Sequence, residues 1–187
     1  MAEFFPKIQK DFAVYKKFLK RKKQLESDTL LLVQETTKRR CLGNSKVDHG
    51  LPSGECKLEG SISIENQKRY SLRIFATHFG ANPCFRFCSW GRSHVNRESG
   101  KGLPKRVIPT PHFHHVDKHG NMVAYLGKLT DPREGEKVRK DYQLGANLFC
   151  QESSLVSPNG KFVVVKLNTT ELGLSIDDPL GSANFPT

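Results

Sequence analysis

The chain has 187 residues, of which 36% are hydrophobic, and its formal net charge is +11 at neutral pH. This length and apolar content suffice for one domain with its own core and leave little room for two. No apolar run approaches the roughly 20 residues of a membrane helix, and the N-terminus lacks the apolar region of a secretory signal. We therefore expect a cytoplasmic protein without a membrane partner.

The chain contains five cysteines, an odd number, and no two of them form a Cys-x-x-Cys pair. Such a set is typical of reduced thiols in a cytoplasm and not of a disulfide framework. The residues are Cys41, Cys56, Cys84, Cys88 and Cys150.

The positive charge is concentrated in two short segments. Residues 1–25 carry +6 and residues 92–106 carry +4, so the other 147 residues together carry only +1. This distribution is typical of a protein that contacts a polyanion, although an exposed basic face without a partner would look the same. We predict contact with RNA or a ribonucleoprotein through Lys16, Lys17, Lys20, Arg21, Lys22, Lys23, Arg86, Lys101, Lys105 and Arg106.

Residues 1–42 are predicted to be an N-terminal basic helical segment. Over residues 3–25, Ile8, Phe12, Tyr15 and Leu19 form one apolar helical face. The lysines opposite could follow a phosphate backbone, keep the helix solvated or lie on a membrane surface. Residues 29–34 are too short a run to distinguish a strand from a helix end, and the turn-forming residues of 43–56 predict a separating loop.

Residues 57–170 are predicted to be a β-rich core domain. Apolar residues alternate over 58–64 and 70–78, which predicts an antiparallel pair joined by a turn at 65–69. Further strands are expected at 84–95, 112–116, 122–126 and 161–167, with a long basic loop at 97–111, a turn at 117–121 and a short helix at 131–142. Residues 171–187 are too polar to fold and are predicted to be a loose tail. The expected class is α+β, with the N-terminal basic helix on a mostly antiparallel sheet of five to seven strands.

Five of the seven histidines lie between residues 92 and 119. His112 and His114 share one face of their strand because side chains alternate along a strand. If the strand of His94 neighbours theirs, three imidazoles and Arg92 converge. We take His94, His112, His114 and Arg92 as the candidate catalytic residues, with Cys84, Arg86 and Cys88 on the same face of the strand that carries His94.

This cluster permits several functions. Two histidines could act as general base and general acid on RNA, with Arg92 or Arg86 stabilising the phosphorane, in a metal-independent endoribonuclease. The three histidines could instead bind zinc, with Glu98 or Asp117 as a carboxylate behind them. They could also contact phosphate or a partner protein without chemistry, or form an exposed strand face.

The order of residues in this region resembles a group of small prokaryotic and phage proteins that includes TumE-type toxins. The resemblance covers about residues 85–126 and rests on Arg86, Phe87, Trp90, Arg92, His94 and Asn96, followed by Pro111, His112 and His114. It implies an α+β domain of bacterial or mobile-element origin that acts on RNA and has a cognate protein partner, with Arg92, His94, His112 and His114 at the motif positions.

Three features depart from that group: a longer basic loop, an added N-terminal helix and a long C-terminal region. They also fit a non-enzymatic phage inhibitor of host defence, such as an anti-CRISPR protein that binds a nucleoprotein complex. The chain contains no Gly-x-Gly-x-x-Gly, P-loop, His-Glu-x-x-His or Gly-x-Ser-x-Gly motif, so nucleotide-cofactor and standard hydrolase functions have no support.

Overall fold

A computed structural model describes residues 3–35, 39–51, 53–96 and 106–168 of the chain, without the side chain of Arg106. The helices are α1 (Pro6–Lys10), α2 (Phe12–Lys20), α3 (Pro132–Lys140) and α4 (Tyr142–Ser153). The strands are β1 (Lys23–Leu25), β2 (Thr29–Gln34), β3 (Arg40–Asp48), β4 (Cys56–Ser63), β5 (Tyr70–Ala76), β6 (Phe85–Cys88), β7 (His94–Asn96), β8 (Arg106–Ile108), β9 (His112–Val116), β10 (Met122–Tyr125), β11 (Leu155–Val156) and β12 (Val164–Asn168).

Strands dominate this mixed α and β structure. Ten of the twelve strands in the described residues form one curled sheet, ordered β10-β9-β6-β5-β4-β3-β1-β11, with β2 beside β3 and β12 beside β2. The pairs β1–β11 and β2–β12 are parallel, and the other described pairs are antiparallel. β7 and β8 form a separate two-stranded sheet. The sheet is thus antiparallel-rich, as predicted, and has more strands than the five to seven expected.

The central strands β5, β6 and β9 have one apolar and one polar face, which positions the histidines. Phe85, Phe87 and Phe113 are fully buried, and the Phe85 ring packs 5.3 Å from that of Phe149 on α4. Residues at the alternate positions, which include Arg86, His112 and His114, point to the opposite face.

The N-terminal segment differs from the single predicted helix over residues 3–25. It is broken at Asp11 into two short helices, and residues 23–25 belong to the sheet as β1. Of the predicted apolar face, Ile8 and Tyr15 are buried, while Phe12 and Leu19 are partly buried against the core. Phe18, which was not assigned to that face, is buried as well. The Tyr15 hydroxyl donates to the carbonyl of Cys84 at 2.7 Å and accepts from the backbone N–H of Val116 at 3.0 Å.

Lys23 is a correction to the predicted nucleic-acid contacts, because its side chain is fully buried. Its Nζ donates to the carbonyls of Phe18 at 2.6 Å, Leu19 at 3.2 Å and Arg21 at 2.8 Å, at the C-terminal end of α2. Carbonyls at a helix end lack partners within the helix and attract a cation. Lys23 therefore caps this helix and is not available to a phosphate.

Residues 43–48, predicted as part of a loop, continue strand β3. Gly43 does not form a turn there. A Cβ at this position would lie 1.9 Å from the backbone oxygen of Leu31, so glycine is required by the close approach of β2 and β3.

The strand predicted over residues 84–95 is interrupted, with β6 ending at Cys88 and β7 beginning at His94. The β9–β10 hairpin is present, and Asp117 Oδ1 accepts from the backbone N–H groups of His119 and Asn121 in its turn. The helix predicted at 131–142 is α3, whereas α4 was not predicted. All five cysteines lie in the described residues and none forms a disulfide.

No helix in the described ranges has the length and apolar character to cross a membrane. The tail predicted at 171–187 lies outside the described residues.

Candidate metal-binding site

The candidate site is built on two neighbouring antiparallel strands, β6 and β9. Their register places Cys88 opposite His112 and Arg86 opposite His114. These four side chains share the polar face of the sheet because they occupy alternate positions on their strands. Strand alternation, which predicted that His112 and His114 share one face, thus also explains why Cys88 and Arg86 share one face.

Three histidines come together on this face. The ring centroids are 4.5 Å apart for His112 and His114, 4.9 Å for His94 and His114, and 6.3 Å for His94 and His112. The sequence predicts that these histidines converge if the strand of His94 pairs with the strand of His112. This pairing does not occur. In the described residues β9 pairs with β6 and β10, while β7 pairs with β8.

Asn96 holds β7 in place. Its Nδ2 donates to the carbonyl of Ala124 at 2.7 Å, and its Oδ1 accepts from the Ala124 backbone N–H at 2.8 Å. One amide side chain thus satisfies both backbone groups of a residue on β10, as a neighbouring strand would. This anchor holds β7 so that the His94 imidazole lies beside the other two, in edge-on contact.

Burial keeps these histidines neutral. His112 is 3% exposed and His114 is 1% exposed. Desolvation, followed by the nearby charge of Arg86, lowers the pKa of His114 to about 2. Desolvation is also the largest cause that lowers the pKa values of His94 and His112. A neutral imidazole carries the lone pair that a metal ion needs.

A backbone carbonyl fixes the tautomer of His112. The Nδ1 atom lies 3.0 Å from the carbonyl oxygen of Pro109, which can only accept a hydrogen bond, so Nδ1 carries the proton. The lone pair of His112 therefore lies on Nε2. A backbone acceptor behind a histidine is the usual arrangement at metal sites, where it orients the ring.

Arg86 lies against His114 on the same face. Its Nη2 atom is 3.4 Å from both ring nitrogens of His114, and its Nε atom is buried without a hydrogen-bond partner. Arg73, its neighbour on β5, pairs with Glu59 at 3.4 Å, whereas Arg86 makes no ion pair with any described residue. This guanidinium is thus a partly buried cation without a direct ion-pair partner in the described part of the chain.

Cys88 was not among the predicted site residues. Burial raises the pKa of its thiol, while Arg86 and Arg73 act in the opposite direction. The signal that could have identified Cys88 was its position on the mixed face of the strand predicted over residues 84–95, the face that also carries Arg86 and His94. It was missed because no second cysteine lies at a ligand spacing, and sequence does not show which strand lies beside β6.

The donor atoms of Cys88, His112 and His114 lie within 4.8 Å of one another. A tetrahedral zinc ion, with Zn–N of about 2.0 Å and Zn–S of about 2.3 Å, needs donors about 3.3–3.6 Å apart. Side-chain rotations that close the group by about an ångström would meet this requirement. Thiolate and neutral imidazole are ligands that zinc prefers, so the residues fit this ion.

The remaining predicted residues fall into three groups. Arg92 is exposed in the bend between β6 and β7, and the guanidinium beside the histidines belongs to Arg86 instead. Lys101 and Lys105 lie outside the described residues, as does the side chain of Arg106. The predicted contacts of the N-terminal segment that are exposed are Lys16, Lys17, Lys20, Arg21 and Lys22.

Comparison with known proteins gives no relative for this chain: no protein-family model, no curated protein and no solved structure matches it.

Proposed function

We propose that Cys88, His112 and His114 bind a zinc ion, with His94 as the fourth ligand. The observation that carries this proposal is the grouping of one thiol and two neutral imidazoles within 4.8 Å on one sheet face. The His94 ring lies 4.9 Å from that of His114 and 6.3 Å from that of His112, so it is the third imidazole of the cluster. A Cys-His₃ set would make a closed tetrahedral site.

The zinc ion would stabilise the arrangement of β7 and β8. These strands pair with each other and not with the main sheet, and the side chain of Asn96 on β7 forms two hydrogen bonds with Ala124 on β10. A metal shared by His94 and the β6 and β9 ligands would secure this hairpin to the sheet. Such ions supply folding free energy directly, about 10–16 kcal/mol in small zinc peptides.

Elemental analysis of purified protein tests the zinc centre. We expect about one equivalent of zinc, which Cys88→Ser and His112→Ala lose. The matched controls Cys150→Ser and His115→Ala should keep it, since Cys150 lies on α4 and His115 points to the opposite sheet face against Tyr125.

A second readout covers the case in which a ligand variant does not fold. Adding zinc to chelator-treated parent protein should raise its melting temperature, because the ion binds only the folded state. A parent that is purified without metal and whose melting temperature zinc does not change would refute the zinc centre.

We propose, as a second function, that the protein binds RNA through its N-terminal basic surface, defined by Lys16, Lys17, Lys20, Arg21 and Lys22. The observation that favours it is that all five cations are exposed on or just after α2. Cations along one short segment can follow a phosphate backbone and release its counterions. An origin in a bacterium or a mobile element, as in toxins or anti-defence inhibitors, fits this proposal.

Charge reversal tests the RNA proposal. The triple variant Lys16→Glu, Lys17→Glu and Lys20→Glu should bind single-stranded RNA more weakly. The slope of log K against log salt should fall by about 2, since each lost phosphate contact contributes about 0.7. A control with the same charge change, Lys118→Glu, Lys128→Glu and Lys161→Glu, alters exposed lysines elsewhere. Equal losses in both triples would refute a specific N-terminal surface.

The RNA assay also separates binding from cleavage. A metal-independent endoribonuclease would cut RNA in EDTA, stop at a 2′-O-methyl nucleotide and show a bell-shaped pH profile. The burial of His112 and His114 disfavours that mechanism, because one of the pair must be protonated near neutral pH and must reach the substrate. We therefore expect binding without fragments, and cleavage under these conditions would replace the zinc centre by the catalytic alternative.

A further inference from the structure

We propose that the Glu3 carboxylate is the hydrogen-bond partner of His94 in the metal centre, so that the N-terminal segment completes the site. This inference rests on the proposed zinc centre. It identifies a positioning residue from the opposite end of the sequence, more than 80 residues before the nearest ligand.

The backbone brings Glu3 to the edge of the sheet where β7 also docks. The Glu3 carbonyl accepts from the N–H of Met122 at 3.3 Å, and the N–H of Phe5 donates to the Gly120 carbonyl at 2.7 Å. Phe4 forms an isolated bridge with Asn121. Asn96 binds Ala124, two residues along the same strand from Met122. The N-terminal segment and the strand of His94 therefore meet beside β10.

The Glu3 carboxylate points into the protein without a partner. Its Oε2 atom is buried and has no hydrogen-bond partner among the described residues. The other buried side-chain atoms without a hydrogen bond in the described residues are the Nε atoms of three arginines. An unpaired buried carboxylate oxygen is costly and normally indicates a missing partner. The carboxylate is also near enough to act on the cluster: after desolvation, which raises the pKa of Cys88 and lowers that of His94, and after Arg86, the charge of Glu3 is a smaller cause that acts upward on both pKa values.

A carboxylate behind a ligating histidine has a defined role. It accepts the N–H of one ring nitrogen, fixes the ring orientation and raises the basicity of the nitrogen that binds the metal. His112 already has such an acceptor in the Pro109 carbonyl, and Glu3 would supply one for His94. Of the two carboxylates that the sequence suggested, Asp117 binds the turn amides of its own hairpin and Glu98 lies outside the described residues.

The test is zinc affinity, measured by competition with a chromophoric chelator on the full chain. Glu3→Gln should weaken zinc binding by about 10–100-fold, the usual effect of removing such a partner. Glu3→Asp should restore part of the loss. Glu26→Gln, which removes an exposed carboxylate in the bend after β1, is the matched control and should bind zinc as the parent does.

A double-mutant cycle tests whether Glu3 affects zinc affinity through His94. In a His94→Ala background Glu3→Gln should have no further effect on zinc affinity, because the ring it orients is absent. Equal losses in both backgrounds would mean that Glu3 acts only on general stability and would overturn the proposal. Parent-like zinc affinity in Glu3→Gln would also overturn it while leaving the zinc centre intact. A parent that binds no zinc would overturn both.

Discussion

The burial of His114 predicts a loss of stability in acid. The pKa of this imidazole is lowered to about 2, against about 6.5 in an unfolded chain, mainly because it is desolvated. The unfolded state therefore binds a proton that the folded state does not bind between these values. By linkage, the free energy of unfolding falls as the pH drops below 6.5.

The size of the effect follows from the difference between the pKa of His114 in the folded state and its pKa in the unfolded state. Each pH unit between the two pKa values corresponds to about 1.36 kcal/mol, so His114 alone should lower the free energy of unfolding by about 2.7 kcal/mol between neutral pH and pH 4.5. The lowered pKa values of His94, His112 and His115 act with the same sign. Acid should therefore destabilise the protein progressively as the pH falls below about 6.5.

The assay is urea denaturation of metal-depleted protein at pH 7 and pH 4.5, so that protons do not compete with zinc. His114→Gln removes the titrating group, and the variant should lose about 2–3 kcal/mol less than the parent between the two pH values. His119→Gln, which alters an exposed histidine in the turn after β9, should match the parent. If His114→Gln lost as much stability in acid as the parent, the argument from burial would be wrong.

Two further predictions concern the packing that holds the site. Tyr15→Phe should lower the free energy of unfolding by about 1–3 kcal/mol in urea denaturation, because it leaves the Cys84 carbonyl and the Val116 N–H buried without their partner. Gly43→Ala should destabilise by at least about 1–3 kcal/mol or prevent folding, since its Cβ would displace the backbone of β2, whereas the exposed neighbour Asn44→Ala should have little effect.

The polar face of the site could be read from sequence, because strand alternation depends only on local spacing. That rule places His112 with His114, and Arg86 with Cys88, without any knowledge of the fold. The β9–β10 hairpin could also be predicted from sequence, because Gly120 and Asn121 are turn-forming residues between two alternating runs. In the structure Gly120 adopts a positive φ of 80° in this turn.

The non-local parts of the site could not be predicted. The pairing of β9 with β6 depends on contacts between residues that are distant in the sequence. The same holds for the hydrogen bonds by which the Asn96 amide holds β7 against β10. Lys23 was misassigned because a charged residue in a basic run is normally exposed, and only the end of α2 explains its burial. Helix α4 was missed because its apolar residues show little helical periodicity, with glycine at position 145.

The position of Arg86 connects the two proposed functions. A zinc ion with one thiolate and neutral imidazoles keeps a net charge of +1, to which Arg86 adds one positive charge and the Glu3 carboxylate one negative charge. The Nη2 atom of Arg86 lies 3.4 Å from both ring nitrogens of His114, on the polar face of the sheet that also carries Cys88 and His112. With this net positive charge a loaded centre would attract anions, and bound phosphate would supply the direct ion-pair partner that Arg86 lacks among the described residues.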